Sequence, residues 1–240
     1  MALYRDEAVV IRAVKLGEAD RIITLITKKH GKVRAVAKGV RRIKTKFGGR
    51  LDLFMRNDML IAQGRNLDTI SQVSTISAYS HNIGTHYESF LAANVIAQCA
   101  DLLINTEHQQ ATDQYLLLIG ALNALATGAH DSEHIAYSYI LRSLKIAGWT
   151  PRLQSCVTCN TNENLTSFSV QAGGLMCQEH TIAGAFRVSK STIEQLRALL
   201  EGNWAVLQGV QLDSQVHAIV NNWSQYYLEH PIRSLDLLHS

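Results

Sequence analysis

The segment from Arg21 to Leu51 is the feature that most limits what this chain can fold into. It contains 11 of the 23 Lys and Arg residues of the chain and none of its 20 Asp and Glu residues. Such a block repels itself unless an anion neutralises it, so the segment predicts a polyanionic partner, with nucleic acid as the first candidate. The alternative is a solvated charged face without a partner, but an unbalanced run of this length is poorly explained by solubility alone.

The block has two parts with different patterns. From Lys32 to Lys38, small apolar residues alternate with mostly basic ones, and this period of two predicts a strand with one largely basic face. From Gly39 to Gly49 the alternation stops and two glycines end the segment, which predicts a mobile basic loop. Phe47 is the only aromatic residue of the block, so electrostatics should outweigh base stacking in any contact with nucleic acid.

Short strand patterns surround the basic block and extend to residue 77. They are separated by small turns, one of which is predicted at Arg56–Asp58. The predicted strands lie at 7–16, 21–27, 32–38, 51–55, 59–63 and 67–77. Closely spaced strands without a helical period predict a small closed barrel of the oligonucleotide-binding (OB) type, which has about five strands and binds single strands across one face.

The balance of charge changes sign near residue 80. Residues 1–80 carry 16 basic and 7 acidic side chains, whereas residues 81–240 carry 7 and 13. The apolar pattern becomes helical from about His81, and this change predicts two domains with different partners. We therefore expect an α+β multidomain chain, with an OB-fold barrel over 1–80 and a helical domain over 81–240 that contains a Cys-rich insertion at about 152–184.

Localisation follows from two local patterns. The segment MALYRDEAVV has charges where a signal peptide would need its apolar core. The longest apolar run, Tyr115–Ala126, is interrupted by Gly120 and Asn123 and is too short to span a membrane. These patterns predict a cytoplasmic protein.

Three of the four cysteines lie in the insertion with metal-ligand spacing. Cys156, Cys159, Cys177 and His180 form the pattern C-x2-C-x17-C-x2-H. A two-residue gap lets both side chains of one turn converge on a tetrahedral ion, so two such turns predict a zinc site. Four protein ligands leave no open position, which makes the predicted site structural. Disulfides, which a cytosolic chain disfavours, and a set of unliganded cysteines are the alternatives.

The motifs of several common enzyme classes are absent from the sequence. There is no G-x-x-x-x-G-K-[ST], G-x-S-x-G, H-E-x-x-H or G-x-G-x-x-G segment. The aspartates near the predicted loops do not have the spacing of a two-metal nuclease centre. We therefore expect no catalytic residue, although a nuclease remains a less favoured hypothesis. An RNA-binding translation or ribosome-assembly factor with the same barrel and zinc module is the main alternative.

Two stretches resemble the bacterial recombination-mediator family RecO. The first is LGEADRIITLITKKHGKVRAVAKGVRRIKTKFGGRLDLF, continued by LDTISQ, and the second is LRSLKIAGWTPRLQSCVTCN, followed by GGLMC. The resemblance implies an N-terminal OB-fold barrel, a helical domain and a zinc module. It also implies binding to single- and double-stranded DNA, annealing of complementary strands, and partnership with RecR. Family members contact the single-stranded-DNA-binding protein and help to load RecA onto strands that it coats.

The resemblance also assigns roles to particular side chains. The DNA-binding role of basic barrel residues carries over to Arg34, Lys38, Arg41, Arg42, Lys44, Lys46 and Arg50. Family members with a complete zinc module often have four cysteines, whereas this chain has His180 in the last position.

A basic cluster near residue 145 is a candidate docking site for the tail of the single-stranded-DNA-binding protein. Such tails are acidic with an apolar tip, so they require apolar surface with a positive rim. The candidate rim is formed by Arg142, Lys145 and Arg152. Leu141, Leu144 and Trp149 are predicted to supply the apolar surface. The alternative is that these are ordinary surface charges beside a core helix.

Overall fold

The computed structural model describes residues 2–238, which divide into two compact units, one ending at Ala129 and the other beginning at His130. The first unit holds a closed five-stranded barrel and three helices, and the second holds helices and a small three-stranded sheet. The predicted α+β class is confirmed. The predicted domain ranges extend to residues 1 and 239–240, which lie outside the described residues. No described helix combines the length and the apolar character needed to cross a bilayer.

The barrel has the strand connectivity of an OB fold. Its strands are β1 (Leu3–Leu16), β2 (Asp20–Thr27), β3 (Gly31–Ala37), β4 (Met55–Ala62) and β5 (Asp68–Ala78). They follow the order β1-β2-β3-β5-β4, and β1 closes the barrel by pairing with both β2 and β4. All pairings are antiparallel except that of β3 with β5, which is parallel and joins only two residue pairs.

Strand alternation fills the interior of the barrel. In β3, Val33, Ala35 and Ala37 point inward and are fully buried, as the period of two predicts. β4 alternates in the same way, and its Met59 and Ile61 join the same core. These small and medium side chains leave space in the core, and side chains from the connection between β3 and β4 fill it.

The predicted turn at Arg56–Asp58 is wrong, because β4 runs through it without interruption. Turn-forming residues remain in the strand because each finds a partner in the fold. The Asn57 side chain is buried and donates to the carbonyl oxygen of Arg50 at 2.6 Å. The Arg56 guanidinium donates to a Glu7 carboxylate oxygen at 2.8 Å, and this hydrogen bond lowers the pKa of Glu7 although burial opposes the shift.

Three helices belong to the same unit as the barrel. They are α1 (Tyr79–Ile83), α2 (Tyr87–Leu103) and α3 (Thr112–Thr127). The linker between α2 and α3 lies against the start of β3, where the amide of His108 donates to the carbonyl oxygen of Lys32 at 3.0 Å. A Cβ atom at Gly31 would lie 1.8 Å from the carbonyl oxygen of Gln109, so only glycine allows this approach.

The second unit begins with a largely buried helix and continues, over its described residues, with four further helices and a small sheet. Its helices are α4 (Ser132–Ile146), α5 (Lys190–Glu201), α6 (Trp204–Leu207), α7 (Ser214–Leu228) and α8 (Leu235–Leu238). Between α4 and α5, the strands β6 (Leu165–Ser169), β7 (Gly174–Cys177) and β8 (Phe186–Arg187) form a sheet of order β7-β6-β8. Phe168 of β6 is buried edge-on against Trp223 of α7, with ring centroids 5.7 Å apart.

Candidate nucleic-acid interface and candidate metal centre

The predicted basic face of β3 exists, but its charges are largely cancelled. Lys32 forms an ion pair with Asp101 of α2, and its Nζ also donates to the Asp101 carbonyl oxygen at 2.8 Å. Arg34 forms an ion pair with Glu107 in the linker between α2 and α3. An arginine that already has a carboxylate partner has less net charge to offer a phosphate group.

The connection between β3 and β4 is attached to the barrel at both ends of its exposed part. Val40, Phe47 and Leu51 are buried in the barrel core. The amide of Gly39 donates to a carboxylate oxygen of Asp20 at 2.7 Å, and a 3-10 turn at Gly48–Leu51 leads back towards β4. The loop that the sequence predicts to be mobile therefore has fixed attachment points. We call residues 41–46, which lie between these points, the arch.

The cations of this connection find carbonyl oxygens rather than carboxylates. Arg41 donates through its guanidinium to the carbonyl oxygens of Gly17 and Glu18 at 3.2 and 2.9 Å. Lys46 donates to the carbonyl oxygen of Ser71 at 2.9 Å. Carbonyl groups orient a cation without cancelling its charge. Among the ion pairs of residues 2–238, none uses a cation between positions 38 and 50.

The structure thus divides the seven predicted DNA-binding residues into two groups. Arg34 lies on β3 and is neutralised by Glu107. The other six are exposed and lie on one connection of the barrel, which we call the basic loop (residues 38–50). They are Lys38, Arg41, Arg42, Lys44, Lys46 and Arg50.

Two features of this surface are not apparent from the sequence analysis. Phe47 has an exposed fraction of 1% and packs in the barrel core, so it is not available to stack on a base. Its neighbour Lys46 lies over the ring, with Nζ 5.0 Å from the centroid. Ile43 is fully exposed at the middle of the arch. The sequence signal for Ile43 was its position between Arg42 and Lys44 in a predicted loop, where an apolar side chain is unexpected.

The four predicted metal ligands meet at one point. The donor atoms of Cys156, Cys159, Cys177 and His180 all lie within 4.8 Å of one another. The Sγ atoms of Cys159 and Cys177 are 3.9 Å apart, and Cys177 Sγ lies 3.1 Å from His180 Nδ1. A tetrahedral zinc ion about 2.3 Å from each thiolate would hold sulfur atoms roughly 3.8 Å apart. The residues present therefore fit a tetrahedral ion of this kind.

Local backbone geometry aims the cysteines at this point. The amide of Asn160 donates to the Cys156 carbonyl oxygen at 3.0 Å, and Asn160 has a left-handed φ of 64° that reverses the chain. Burial opposes ionisation of Cys156, but hydrogen bonds from the backbone at Cys159, Cys177 and Thr158 outweigh it and lower the pKa of this thiol to about 6. A thiol that ionises readily is suited to binding a metal.

The second half of the cluster is fixed by a close backbone approach. The amide of Leu175 donates to the carbonyl oxygen of Arg152, and the Arg152 amide donates to the carbonyl oxygen of Gly173, both at 2.9 Å. A Cβ atom at Gly174 would lie 2.3 Å from that Arg152 oxygen, which explains the glycine. Arg152 also donates through its side chain to Asn160 Oδ1 at 2.8 Å. Arg152 thus links the two halves of the cluster, residues 156–159 and 177–180, which we call the cysteine-bearing turns.

The surroundings of the predicted docking site differ from the expectation in one respect. Leu141 and Leu144 are buried in the second unit, so they do not supply apolar surface. These side chains point inward because α4 is covered on several sides, with ten of its fifteen residues buried. Lys145 is exposed, and Trp149 is partly exposed and stacks on Tyr227 at 5.4 Å. The guanidinium of Arg142 lies close to Gly202 at the end of α5.

Family models and curated relatives cover nearly the whole chain. The model "Recombination protein O N terminal" matches residues 1–79, and "Recombination protein O C terminal" matches residues 85–236. The chain is similar to DNA repair protein RecO of Bifidobacterium longum subsp. infantis, with 52% identity over 100% of both chains. It is 53% identical to DNA repair protein RecO of Bifidobacterium animalis subsp. lactis over 99% of this chain and 100% of the relative. The protein of the same name from a Nocardioides species is 40% identical over 97% and 98% of the two chains.

Proposed function

The chain belongs to the recombination protein O family, and from this premise we propose that it is a non-enzymatic DNA-binding mediator of recombinational repair. In this role it anneals complementary strands and, with RecR, helps to load RecA onto single-stranded DNA that is coated by the single-stranded-DNA-binding protein. The functional division is proposed to fall near residue 80, where the two family matches are separated by residues 80–84.

The observation that carries the proposal is the uncancelled charge of the basic loop. Its six exposed cations share one connection of an OB-type barrel. Arg41, Lys46 and Arg50 donate to carbonyl oxygens, and none of the six forms an ion pair with a carboxylate among the described residues. Phosphate groups are the natural counterions for such a surface, and binding releases the cations condensed on DNA. Because phosphate contacts carry no base information, this surface accepts strands of any sequence.

Annealing needs no catalytic residue in this scheme. Two complementary strands repel each other through their phosphates, and the repulsion falls when lysine and arginine side chains neutralise some of those phosphates. Strands held close to one protein molecule then meet at high effective concentration. The fold's contribution is to present the cations on a loop that is anchored in the barrel core by Val40 and Phe47.

A salt titration tests the electrostatic part of the proposal. The variant in which Arg41, Arg42, Lys44 and Lys46 are replaced by Ala should bind all single-stranded sequences more weakly. The slope of log affinity against log salt should fall by roughly 3, because each phosphate contact on a single strand contributes about 0.7.

The control removes three exposed cations from the second unit. Its substitutions are Arg187→Ala, Lys190→Ala and Arg233→Ala. This control should leave the slope unchanged, since the charges lie outside the basic loop. An equal salt slope in the quadruple variant and the unaltered protein would overturn the proposed interface. A separate comparison tests the alternative function: tighter binding of RNA than of DNA at matched salt would favour a translation or ribosome-assembly role.

The Cys3His group is proposed to hold a structural zinc ion. Cys156, Cys159, Cys177 and His180 would supply all four ligands, which leaves no position for a substrate. The ion would cross-link the turn after Pro151 to the end of β7. Metal analysis of the purified protein should find about one zinc per chain.

The surface around Lys145 is proposed to receive the acidic tail of the single-stranded-DNA-binding protein, with Arg142, Lys145 and Arg152 as its positive rim. Apolar contact would come from Trp149, because Leu141 and Leu144 are buried. Titration of a tail peptide against the Arg142→Ala/Lys145→Ala variant should show weaker peptide binding with unchanged DNA affinity. Loss of both ligands together, or of neither, would refute this site.

A further inference from the structure

Ile43 is the most exposed large hydrophobic residue of the described chain. Its relative exposure is 103%, compared with 74% for Tyr87, which is next. Isolated exposed apolar residues are common and need no explanation by themselves. The position of Ile43 is unusual because Arg42 and Lys44 flank it, and it therefore projects from the centre of the uncancelled positive charge.

The fold holds Ile43 outward. The neighbouring space in the barrel core is already occupied by Val40 on one side of the arch and by Phe47 on the other. The arch is attached at Arg41, whose amide donates to the Ala19 carbonyl oxygen at 2.9 Å, and at Lys46, which reaches Ser71. Ile43 lies between these attachments and has no place in the core to enter.

We propose that Ile43 is an apolar wedge that packs against the bases of a bound strand while the cations around it hold the phosphates. This inference rests on the proposed function and adds a second kind of contact to it. A branched aliphatic side chain can enter between adjacent bases, as wedges of this type do in bent duplexes. Such a residue has few rotamers to lose, so its insertion costs little conformational entropy.

The division of labour has a physical rationale. Phosphate contacts weaken as salt rises, whereas burial of apolar surface does not depend on counterion release. Bases held apart by a wedge are unstacked and are therefore better able to find a complementary strand. Phe47, the one aromatic residue of the loop, is buried in the core, which leaves Ile43 as the side chain of the arch that can make this contact.

The test compares unaltered protein with Ile43→Ala on two ligands of equal charge. One is a mixed-sequence single strand, and the other is a strand of the same length whose sugars carry no bases. On the normal strand, affinity should fall about tenfold at every salt concentration with an unchanged salt slope, because partial burial of the lost carbon atoms is worth about one power of ten. On the strand without bases, the two proteins should bind equally.

Three further measurements make the outcome decisive. Ile43→Leu should retain most of the affinity, and Leu116→Ala, which removes an exposed aliphatic side chain from α3, should retain all of it. Unchanged affinity of Ile43→Ala on the normal strand, or an equal loss on the strand without bases, overturns the wedge. Binding of anionic vesicles of phosphatidylglycerol and phosphatidylcholine that depends on Ile43, with DNA binding independent of it, assigns the residue to a membrane surface instead. If the unaltered protein shows no salt-dependent DNA binding, the proposed function itself fails.

Discussion

The basic loop and the cysteine-bearing turns are both irregular segments to which we assign a function, but they are held in opposite ways. The basic loop is fixed by apolar side chains that enter a large core, and its charged residues contribute nothing to that core. The cysteine-bearing turns have a small core of their own, which consists of Cys156, Met176 and Cys177 with partly buried Val157 and Leu165. Two of its members are proposed metal ligands. In the first segment the proposed function and folding use different residues, and in the second they use the same ones.

The largest expected effect follows from removing the proposed metal. Treatment with a chelator, or the Cys156→Ser substitution, should release the ion and unfold the cysteine-bearing turns, because a cluster of this size cannot replace a binding free energy of about 10 kcal/mol. Hydrogen exchange should show loss of amide protection over residues 152–184, with the barrel unaffected, and added zinc should restore protection after chelation. Full protection without metal would remove the contrast between the two segments.

The next largest effect concerns the anchor of the basic loop. Phe47→Ala should lower the free energy of unfolding of the barrel by about 3–5 kcal/mol, since it removes a buried aromatic ring from the core. Denaturant titration measures this loss. Phe47→Leu is the matched variant and should cost much less because most of the volume is kept. By contrast, Lys44→Ala should leave stability within about 0.5 kcal/mol, and a large loss there would show that folding and function are not separated in this loop.

The smallest effect separates two cations of the same sequence block. Lys38→Ala should lower the slope of log affinity against log salt by about 0.7, whereas Arg34→Ala should change it little because Glu107 already neutralises Arg34. The complementary variant, Glu107→Gln, should raise the slope by about the same amount by freeing Arg34. Equal effects of Lys38→Ala and Arg34→Ala would mean that the ion pair opens when DNA binds.

Local patterns predict the parts of this molecule that local physics decides. The alternation in β3 buries Val33, Ala35 and Ala37 as expected. The C-x2-C and C-x2-H spacings bring four donor atoms together. The errors arise where distant residues decide the outcome. Arg34 is neutralised by a residue 73 positions away, and the apparent turn at Arg56–Asp58 becomes a strand because Glu7 and Arg50 supply partners. A window of about 11–18 residues contains neither the Arg34–Glu107 pair nor the Arg56–Glu7 pair. Asn57 and Arg50 do fall within one window, but the sequence pattern does not show that they bond.

The docking surface illustrates the same limit. A period of three or four identifies which residues share a helix face, but it does not tell which faces are covered. α4 is covered so extensively that Leu141 and Leu144 are buried. The number of covered faces depends on elements that follow much later in the chain, including α5 and α7.

The approach of the α2–α3 linker to Gly31 has a consequence for how far the barrel is self-sufficient. β3 and β5 share only two residue pairs, and the start of β3 is completed by backbone contacts with Glu107 and His108. A chain shortened to its first 80 residues would keep every strand but would leave this edge open to strands of other molecules. It would also lose Asp101 and Glu107, so Lys32 and Arg34 would become uncompensated. Such a fragment would overstate the proposed attraction for DNA, because α2 and the linker after it set the charge of the barrel, and the linker also protects its edge.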